Sequence, residues 1–486
     1  MKREMATRIR RFYENQMTRL EIKFYGGVDE VGGNRISVED GPSRVFLDYG
    51  MSFSRNQKFF EEYLKPRYAS SGLRDLLRLH LIHNLTGIYR SDLLRLMEMK
   101  VHGEPSVNAV LLSHIHLDHS ALISLLDERI PIICSETTQA YAKALLDVGT
   151  RSLETEVYNF KCRPLFNPRD EPIARQFKLL QSGKEMKIDD MAITPCSVDH
   201  SVLGATAYIL RTSGGTIVYT GDLRFHGKLA KLSEKFAQTA ANAEPDIMLC
   251  EGTRIHETEN DTEDYVRKNA VKTIQGSKEL VIADFAFRDL TRLSTFYEIA
   301  KETDRKLVIS KKDAYLIEAL SKASDLPFPL PSLKDKNILI YIDRKGTGTY
   351  RDKDYDIWER TYLEAANAVR AADIHEEEKQ MMIHLTFFDI NELIDIDPSP
   401  NAIYIHSASE PHNEEQVIDE QRLNNWLDYF EAKKHHYHAS GHASGTDLRQ
   451  LVEQVKPKTL MPIHTEHKEL FKEFHKNVRM PTLQSF

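Results

Sequence analysis

The stretch Ser113-His114-Ile115-His116-Leu117-Asp118-His119-Ser120 constrains this chain more than any other. It follows a short apolar run, Ala109-Val110-Leu111-Leu112, and precedes the apolar-periodic residues 121–126. That pattern predicts a buried strand, a loop carrying ligand-type side chains, and then a helix. Three imidazoles and a carboxylate delivered together at a strand end suit a divalent cation, since imidazole suits zinc and carboxylate suits zinc or manganese. The bland alternative is a polar turn that is histidine-rich by chance. With 20 histidines spread over 486 residues, chance does not readily put three of them so close behind an apolar strand.

At 486 residues the chain exceeds one ordinary domain and should hold two or three, each with its own core. A net charge of -8 argues against a basic surface overall but permits a local basic groove. Cys134, Cys162, Cys196 and Cys250 are far apart and form no CxxC pair. They fit buried thiols in a reducing cytoplasm better than a disulfide framework or a zinc knuckle. No apolar stretch approaches the ~20 residues of a membrane span, so no membrane partner is expected. Residues 1–19 are basic and interrupted by charges, lack a signal-peptide core, and read as a solvated arm.

Along the chain, residues 20–53 read as β-rich, with turns at Gly26-Gly27 and Asp40-Gly41-Pro42 and an apolar run that closes on Asp48. The glycine-rich loop from Gly26 to Asn34 is explained by tight turns alone. Residues 54–106 are charged, with helix-like periodicity at 59–67 and 73–81, and are expected to form a surface insertion over a site entrance. Strands and helices then alternate. The strand at 191–195 delivers Asp199-His200-Ser201, that at 216–220 ends in Gly221-Asp222, and that at 245–250 ends in Glu251-Gly252-Thr253.

From about 255 to 430 a second α/β pattern follows. Its strands are expected at 280–284, 306–310, 337–342 and 402–405, with helices such as 289–300 and 314–322, which predicts a mostly parallel sheet. The loop from Arg344 to Arg351 mixes basic, glycine and aromatic residues. It suits phosphate contact with base stacking, and equally a solvated loop; it is not a P-loop, because GK[ST] is absent. The His- and Glu-rich residues 373–379 read as a solvated helix face. Near the end, His438-Ala439-Ser440-Gly441-His442-Ala443 precedes Leu448, Leu451, Val452 and Val455 at helical spacing. Leu460-Met461-Pro462-Ile463-His464 comes next. The 22 positions from His442 to His464 (464 − 442) leave room for one loop–helix–strand unit to return a second imidazole to the same place.

A lone His or Asp is usually structural, but these stand at successive strand ends in a set order. His114, His116, Asp118 and His119 resemble the HxHxDH motif of the metallo-β-lactamase superfamily. Asp48, His200 and Asp222 are similar to its first, third and fourth motifs. Glu251, His442 within Ser440-Gly441-His442-Ala443, and His464 within Pro462-Ile463-His464-Thr465-Glu466 resemble motifs A, B and C of the nucleic-acid-processing β-CASP branch. Motifs B and C look like those of ribonuclease J proteins, whose opening the Gly26–Asn34 loop also resembles.

The resemblance implies an α/β fold: a metallo-β-lactamase αββα sandwich (residues 20–254 plus 431–486) carrying an inserted α/β β-CASP domain (residues 255–430). It implies two divalent cations, zinc first, with manganese or magnesium as alternatives. His114, His116 and His200 would hold one, Asp118, His119 and His464 the other, and Asp222 both, with Asp48 in support. His442, oriented by Glu251, would protonate the leaving 3′-oxygen. His438, Ser440 and the backbone around Ala443 would meet phosphate; Arg288, Arg292 and the 344–351 loop would meet RNA, as would Arg8, Arg10 and Arg11 in a secondary reading.

The activity implied is hydrolysis of RNA phosphodiester bonds, as a 5′→3′ exonuclease, an endonuclease or both. Single-stranded RNA is the expected partner, with a homodimer or an RNA-processing complex left open. Ribonuclease J proteins usually continue into a further domain after motif C, which the 22 residues after His464 (486 − 464) would not accommodate. Their late glycine-rich segment is here Ile405-His406-Ser407-Ala408-Ser409-Glu410-Pro411, which leaves polarity open. The rival readings are a hydrolase of DNA or a small ester on the same fold, disfavoured by His464 and the insert, and a catalytically silent scaffold, disfavoured by the intact ligand positions.

Overall fold

The computed structural model describes residues 20–61, 63–149, 152–164, 171–259, 261–409 and 414–486. The expected basic arm, residues 1–19 with Arg8, Arg10 and Arg11, lies outside them. Three sheets organise the chain. The first opens as an antiparallel meander of Glu21–Gly26, Arg35–Asp40 and Ser43–Leu47. It continues through parallel strands Ala109–Leu111, Ile132–Cys134 and Phe177–Leu179. The second runs in the order Thr459–Ile463, Ile247–Glu251, Gly215–Tyr219, Thr206–Thr212, Met191–Ser197, Met186–Ile188, parallel in its first three strands and antiparallel thereafter.

These two sheets face each other over one apolar core, in which Ile36, Val45 and Leu111 meet Ile193, Tyr208 and Ile217. Helices cover both outer faces. Glu136–Val148 lies on the first sheet through Tyr141 and Ala144; Ala230–Asn242 and Gly445–Val455 lie on the second through Phe236, Leu448 and Val452. The last helix shows why the sequence was readable. Ser444 caps its N-terminus against Asp447 in a capping box, and Leu448, Leu451, Val452 and Val455 are buried. Each such side chain contributes about 1.5–3 kcal/mol on burial. Lys456, in the left-handed conformation at φ 53°, and Pro457 end it. This is an αββα sandwich.

The third sheet is parallel throughout, ordered Ala368–Val369, Ile338–Tyr341, Lys306–Ser310, Met381–His384, Val281–Asp284, Ile403–His406, Lys433–His436. Its last strand, Lys433–His436, lies beyond residue 430 and pairs with Ile403–His406. Lys-Lys-His-His carries no apolar signature because it is a half-exposed edge. One apolar cluster runs unbroken from the outer face of the first sheet to the third, through Tyr141 and Ala144 on one side and Ala314 and Ile317 on the other. Asp325 accepts from the backbone N–H groups of Glu136 and Thr137 at 2.9 Å each, capping a sandwich helix from the third sheet's side.

Residues 54–106 depart from expectation. The helices there are short, Phe53–Asn56, Tyr68–Ser71, Arg74–Arg78 and Ser91–Arg95, and residues 59–61 and 63–67 are not helical. Pro66 disfavours helix at the residue before it. The segment is also no mere surface cover: Leu73, Leu76, Ile82, Ile88 and Leu93 are buried in the main core.

Candidate metal centre

The ends of strands from the two facing sheets build one site. Ala109–Leu111 leads into Ser113 and His114, and the short helix Leu117–Ser120 then turns Asp118 and His119 inward. The second sheet supplies His200 after Met191–Ser197, Asp222 after Gly215–Tyr219, and His464 after Thr459–Ile463. Two donor sets result: His114, His116 and His200; and Asp118, His119, Asp222 and His464, with the ligand atoms of each set within 4.8 Å of one another. Asp222 Oδ2 faces both, 3.7 Å from His114 Nε2, 3.1 Å from His119 Nε2 and 3.7 Å from His464 Nε2.

The residues fit metal ions on three counts. Ring nitrogens converge on each other, His114 Nε2 on His116 Nδ1 at 3.0 Å, His200 Nε2 on His116 Nδ1 at 3.1 Å, and His119 Nε2 on His464 Nε2 at 3.3 Å. Asp222 Oδ1 is buried without a hydrogen-bond partner, which is costly unless something binds it. Third, the outer nitrogens are already held. His119 Nδ1 meets Asp48 at 2.7 Å, His200 Nδ1 the Gly441 carbonyl at 2.6 Å, His464 Nδ1 the Thr253 hydroxyl at 2.9 Å and His114 Nδ1 the Ser113 hydroxyl at 3.0 Å. All four rings therefore present Nε2 to the centre, as metal-binding imidazoles with outer partners do.

Electrostatics point the same way. Burial and neighbouring imidazoles push His114 and His200 well below the usual histidine range, and burial takes His116 down to about 4. These rings are neutral and competent as ligands at neutral pH. Burial alone would raise Asp118 and Asp222, but the adjacent His119 and His464 outweigh it and hold both low, hence ionised. Burial likewise opposes a charge on His119, yet Asp222, Asp118 and Asp48 raise its pKa well above normal. Three carboxylates around one ring call for a cation.

His442 stands apart from the donor sets. Its ring is the more exposed, at 21%, and Nδ1 lies 3.2 Å from Oε2 of the fully buried Glu251. Glu251 is itself held by the N–H groups of Leu223 and Thr253. Burial opposes a proton on His442, but Glu251 and then Asp222 outweigh it and raise the pKa to about 9. His442 also comes near enough to His200 and Asp222 to complete a third donor set.

The expected substrate contacts divide. Arg288 is half-buried, with Nε unpartnered, at the edge of a cavity of about 130 Å³ that Ile115, Leu117, Phe287 and Lys312 also line. His438 Nδ1 faces the Ser407 carbonyl at 3.0 Å, and burial with the neighbouring Arg292 takes its pKa down to about 3. Ser440 is turned to internal use: its carbonyl accepts from Arg224 and its hydroxyl from the His442 N–H.

Two expectations are corrected. Ala443 is fully buried and its N–H donates to the Leu223 carbonyl at 2.8 Å, so it offers phosphate nothing. Arg292 is 1% exposed and donates to Glu263, to the Ser407 carbonyl and to the Ala439 carbonyl. It is an internal tie. Ser113, Thr253, Tyr219 and Arg224 hold the site together yet carry no local signal. Only their positions near His114, Glu251 and Asp222 in the sequence could have pointed to them.

Residues 87–275 match the family described as the beta-lactamase superfamily domain, and residues 430–481 match the Zn-dependent metallo-hydrolase RNA specificity domain. The chain is 20% identical to ribonuclease J of Helicobacter pylori over 93% of its length, and covers 57% of that protein. It is 24% identical to ribonuclease J of Pyrococcus abyssi, over 92% of this chain and 91% of that one. A crystal structure of a protein of unknown function from Enterococcus faecalis superposes with a TM-score of 0.69 at 19% identity, over 96% of this chain and 98% of that one. No helix among the described residues is long and apolar enough to cross a membrane. The chain is thus similar to the metallo-β-lactamase superfamily and, over nine-tenths of its length, to its ribonuclease J members.

Proposed function

We propose that the chain is a metal-dependent ribonuclease that hydrolyses phosphodiester bonds of single-stranded RNA, as a 5′→3′ exonuclease, an endonuclease or both. The observation that carries this reading is the placement of His442, with Nδ1 3.2 Å from the buried Glu251 and 4.0 Å from Asp222 Oδ2, facing two adjoining donor sets with Asp222 between them. The match to an RNA specificity domain and the relatives named ribonuclease J support it. We take the sandwich as residues 20–254 with the chain after residue 436, and the insert as the segment between.

His114, His116 and His200 would hold one divalent ion, Asp118, His119 and His464 the second, and Asp222 both; zinc suits the imidazole-rich set best. Bound there, such ions supply Lewis acidity to the scissile phosphate and to the attacking water. The protein does the rest. His442 gives its proton to the departing 3′-oxygen as the phosphorus–oxygen bond breaks, and Glu251 stabilises the charged ring until that moment. Arg288 and His438 flank the phosphate path. Burial of His114, His119, His200, Asp222 and His464 limits access of bulk water to the reacting centre, which opens past the partly exposed His116 and Asp118.

The test is cleavage of single-stranded RNA carrying a 5′-monophosphate, labelled at either end, with Mn²⁺ or Zn²⁺ and His442→Ala as control. Mononucleotide released from the 5′ label marks an exonuclease, and discrete internal fragments mark an endonuclease. No cleavage by protein that demonstrably holds metal overturns the ribonuclease reading.

A further inference from the structure

The glycine-rich loop at residues 26–34 needs more than a turn to explain it, because it packs directly on Asp118 and His464 of the candidate metal centre. We propose that this loop, acting through Asn34 and Tyr219, orients His119 and so sets the strength of the Asp118–His119–His464 half-site. Both are positioning residues; the inference rests on reading that cluster as a metal site.

The chain of contacts is continuous and buried. Asn34 Nδ2 donates to Tyr219 Oη at 3.0 Å. Tyr219 has a single hydroxyl proton and gives it to Asp48 Oδ2 at 2.5 Å. The same Oδ2 accepts from the Ser113 hydroxyl and from His119 Nδ1, both at 2.7 Å. Asn34, Tyr219 and Asp48 are each 0% exposed. An ionised carboxylate can only accept, so His119 must carry its proton on Nδ1 and present the Nε2 lone pair to the cluster. Without the tyrosine proton, Asp48 keeps its negative charge but loses one of the three donors that fix where Oδ2 points.

The loop backbone braces the same half-site directly. The Asn34 N–H donates to the Asp118 carbonyl at 3.0 Å, the Asn34 carbonyl accepts from Gly50, and the Gly27 carbonyl accepts the His464 N–H at 2.9 Å. Gly32, at φ +82°, packs its α-carbon on the Asp118 carboxylate so closely that a Cβ would stand 2.7 Å from Oδ2. No comparable contact from this loop reaches His114, His116 or His200 among the described residues. The consequence is asymmetric: weakening the loop's grip should loosen one half-site much more than the other, which the loop reaches only through the Ser113 hydroxyl between Asp48 and His114 Nδ1.

Cobalt(II) titration followed by visible absorption, with a competing chelator, reads two affinities in the full-length protein without recourse to activity. Tyr219→Phe keeps the ring and removes only the hydroxyl. It should weaken one cobalt site by about 10- to 100-fold and leave the other within about twofold. The zinc-loaded variant should also shift or lose the far-downfield proton resonance of the His119 Nδ1–H. Asn34→Ala, which keeps the tyrosine hydroxyl but removes its donor, should move the same affinity in the same direction by less. A Tyr219→Phe protein that melts earlier yet binds both cobalt ions as tightly as wild type would overturn the inference and leave the tyrosine a packing residue. Equal weakening of both sites would overturn it too. A wild-type protein that takes up no cobalt would instead overturn the metal-site reading beneath it.

Discussion

Replacing Arg292 by Met separates two roles that the sequence could not. The guanidinium is buried between helix Leu290–Glu302 and the loop that carries His442. It donates to Glu263 at 3.0 Å, to the Ser407 carbonyl at 2.8 Å and to the Ala439 carbonyl at 2.8 Å. Glu263 is held down to about 2, because Arg292 and Arg224 outweigh its burial. Methionine fills much of the volume but leaves Glu263 with the Thr295 hydroxyl and with Arg224 at 3.7 Å. Removing one partner of a buried pair costs about 3–5 kcal/mol. Two carbonyls that lose donors add about 1 kcal/mol or more each, for a total on the order of 5 kcal/mol.

The midpoint of guanidinium unfolding should therefore fall sharply. The double variant Arg292→Met/Glu263→Leu should recover part of the loss, since the stranded charge is gone. RNA affinity, measured by anisotropy across a salt series, should keep its slope. An arginine on the RNA backbone behaves in the opposite way: its loss lowers the salt slope by about 0.7 per phosphate and leaves unfolding alone. Unchanged stability with a shallower slope would refute the assignment of Arg292 to the interior.

Other perturbations test the centre and the insert. Asp222→Ala should empty both donor sets, read as metal content after dialysis; two tightly held ions in this variant would break the case for a shared carboxylate. His442→Ala should retain its metal but cleave RNA about 10²–10⁴-fold more slowly, whereas undiminished cleavage would remove His442 from the chemistry. His384 donates to Asp313 at 2.8 Å and to the Phe285 carbonyl at 2.9 Å. Burial opposes its charge, but Asp313 outweighs burial and raises its pKa. The stability it contributes is then complete below the unfolded value of about 6.5 and is lost as pH rises through the higher folded one. The unfolding free-energy gap between wild type and His384→Gln should shrink as pH rises; a gap that widens would reverse the sign.

What could be read from the sequence, and what could not, follows the range of the interactions. Strands such as Val281–Asp284 and helices such as Gly445–Val455 are set by local periodicity and caps, and the donor residues sit at strand ends within a few positions of an apolar run. Those features survive in one dimension. Arg292 and Arg288 lie four residues apart beside one helix start and look alike as letters, yet one is tied to three carbonyl or carboxylate partners and the other keeps an unpartnered nitrogen at a cavity edge. Their difference is made by Glu263, Ser407 and Ala439, up to 147 positions away. The edge strand Lys433–His436 escaped notice for the same reason, since only its pairing with Ile403–His406 makes it a strand. The glycine-rich loop is the sharpest case. Its turns were evident from composition, but its contacts with Asp118, Gly50, His464 and Tyr219 join four separate stretches of chain at one point. Ligand identity is thus local and ligand orientation is not. A chain that kept every histidine and aspartate named above could still lose a half-site through Asn34 or Tyr219, which carry no signal in isolation.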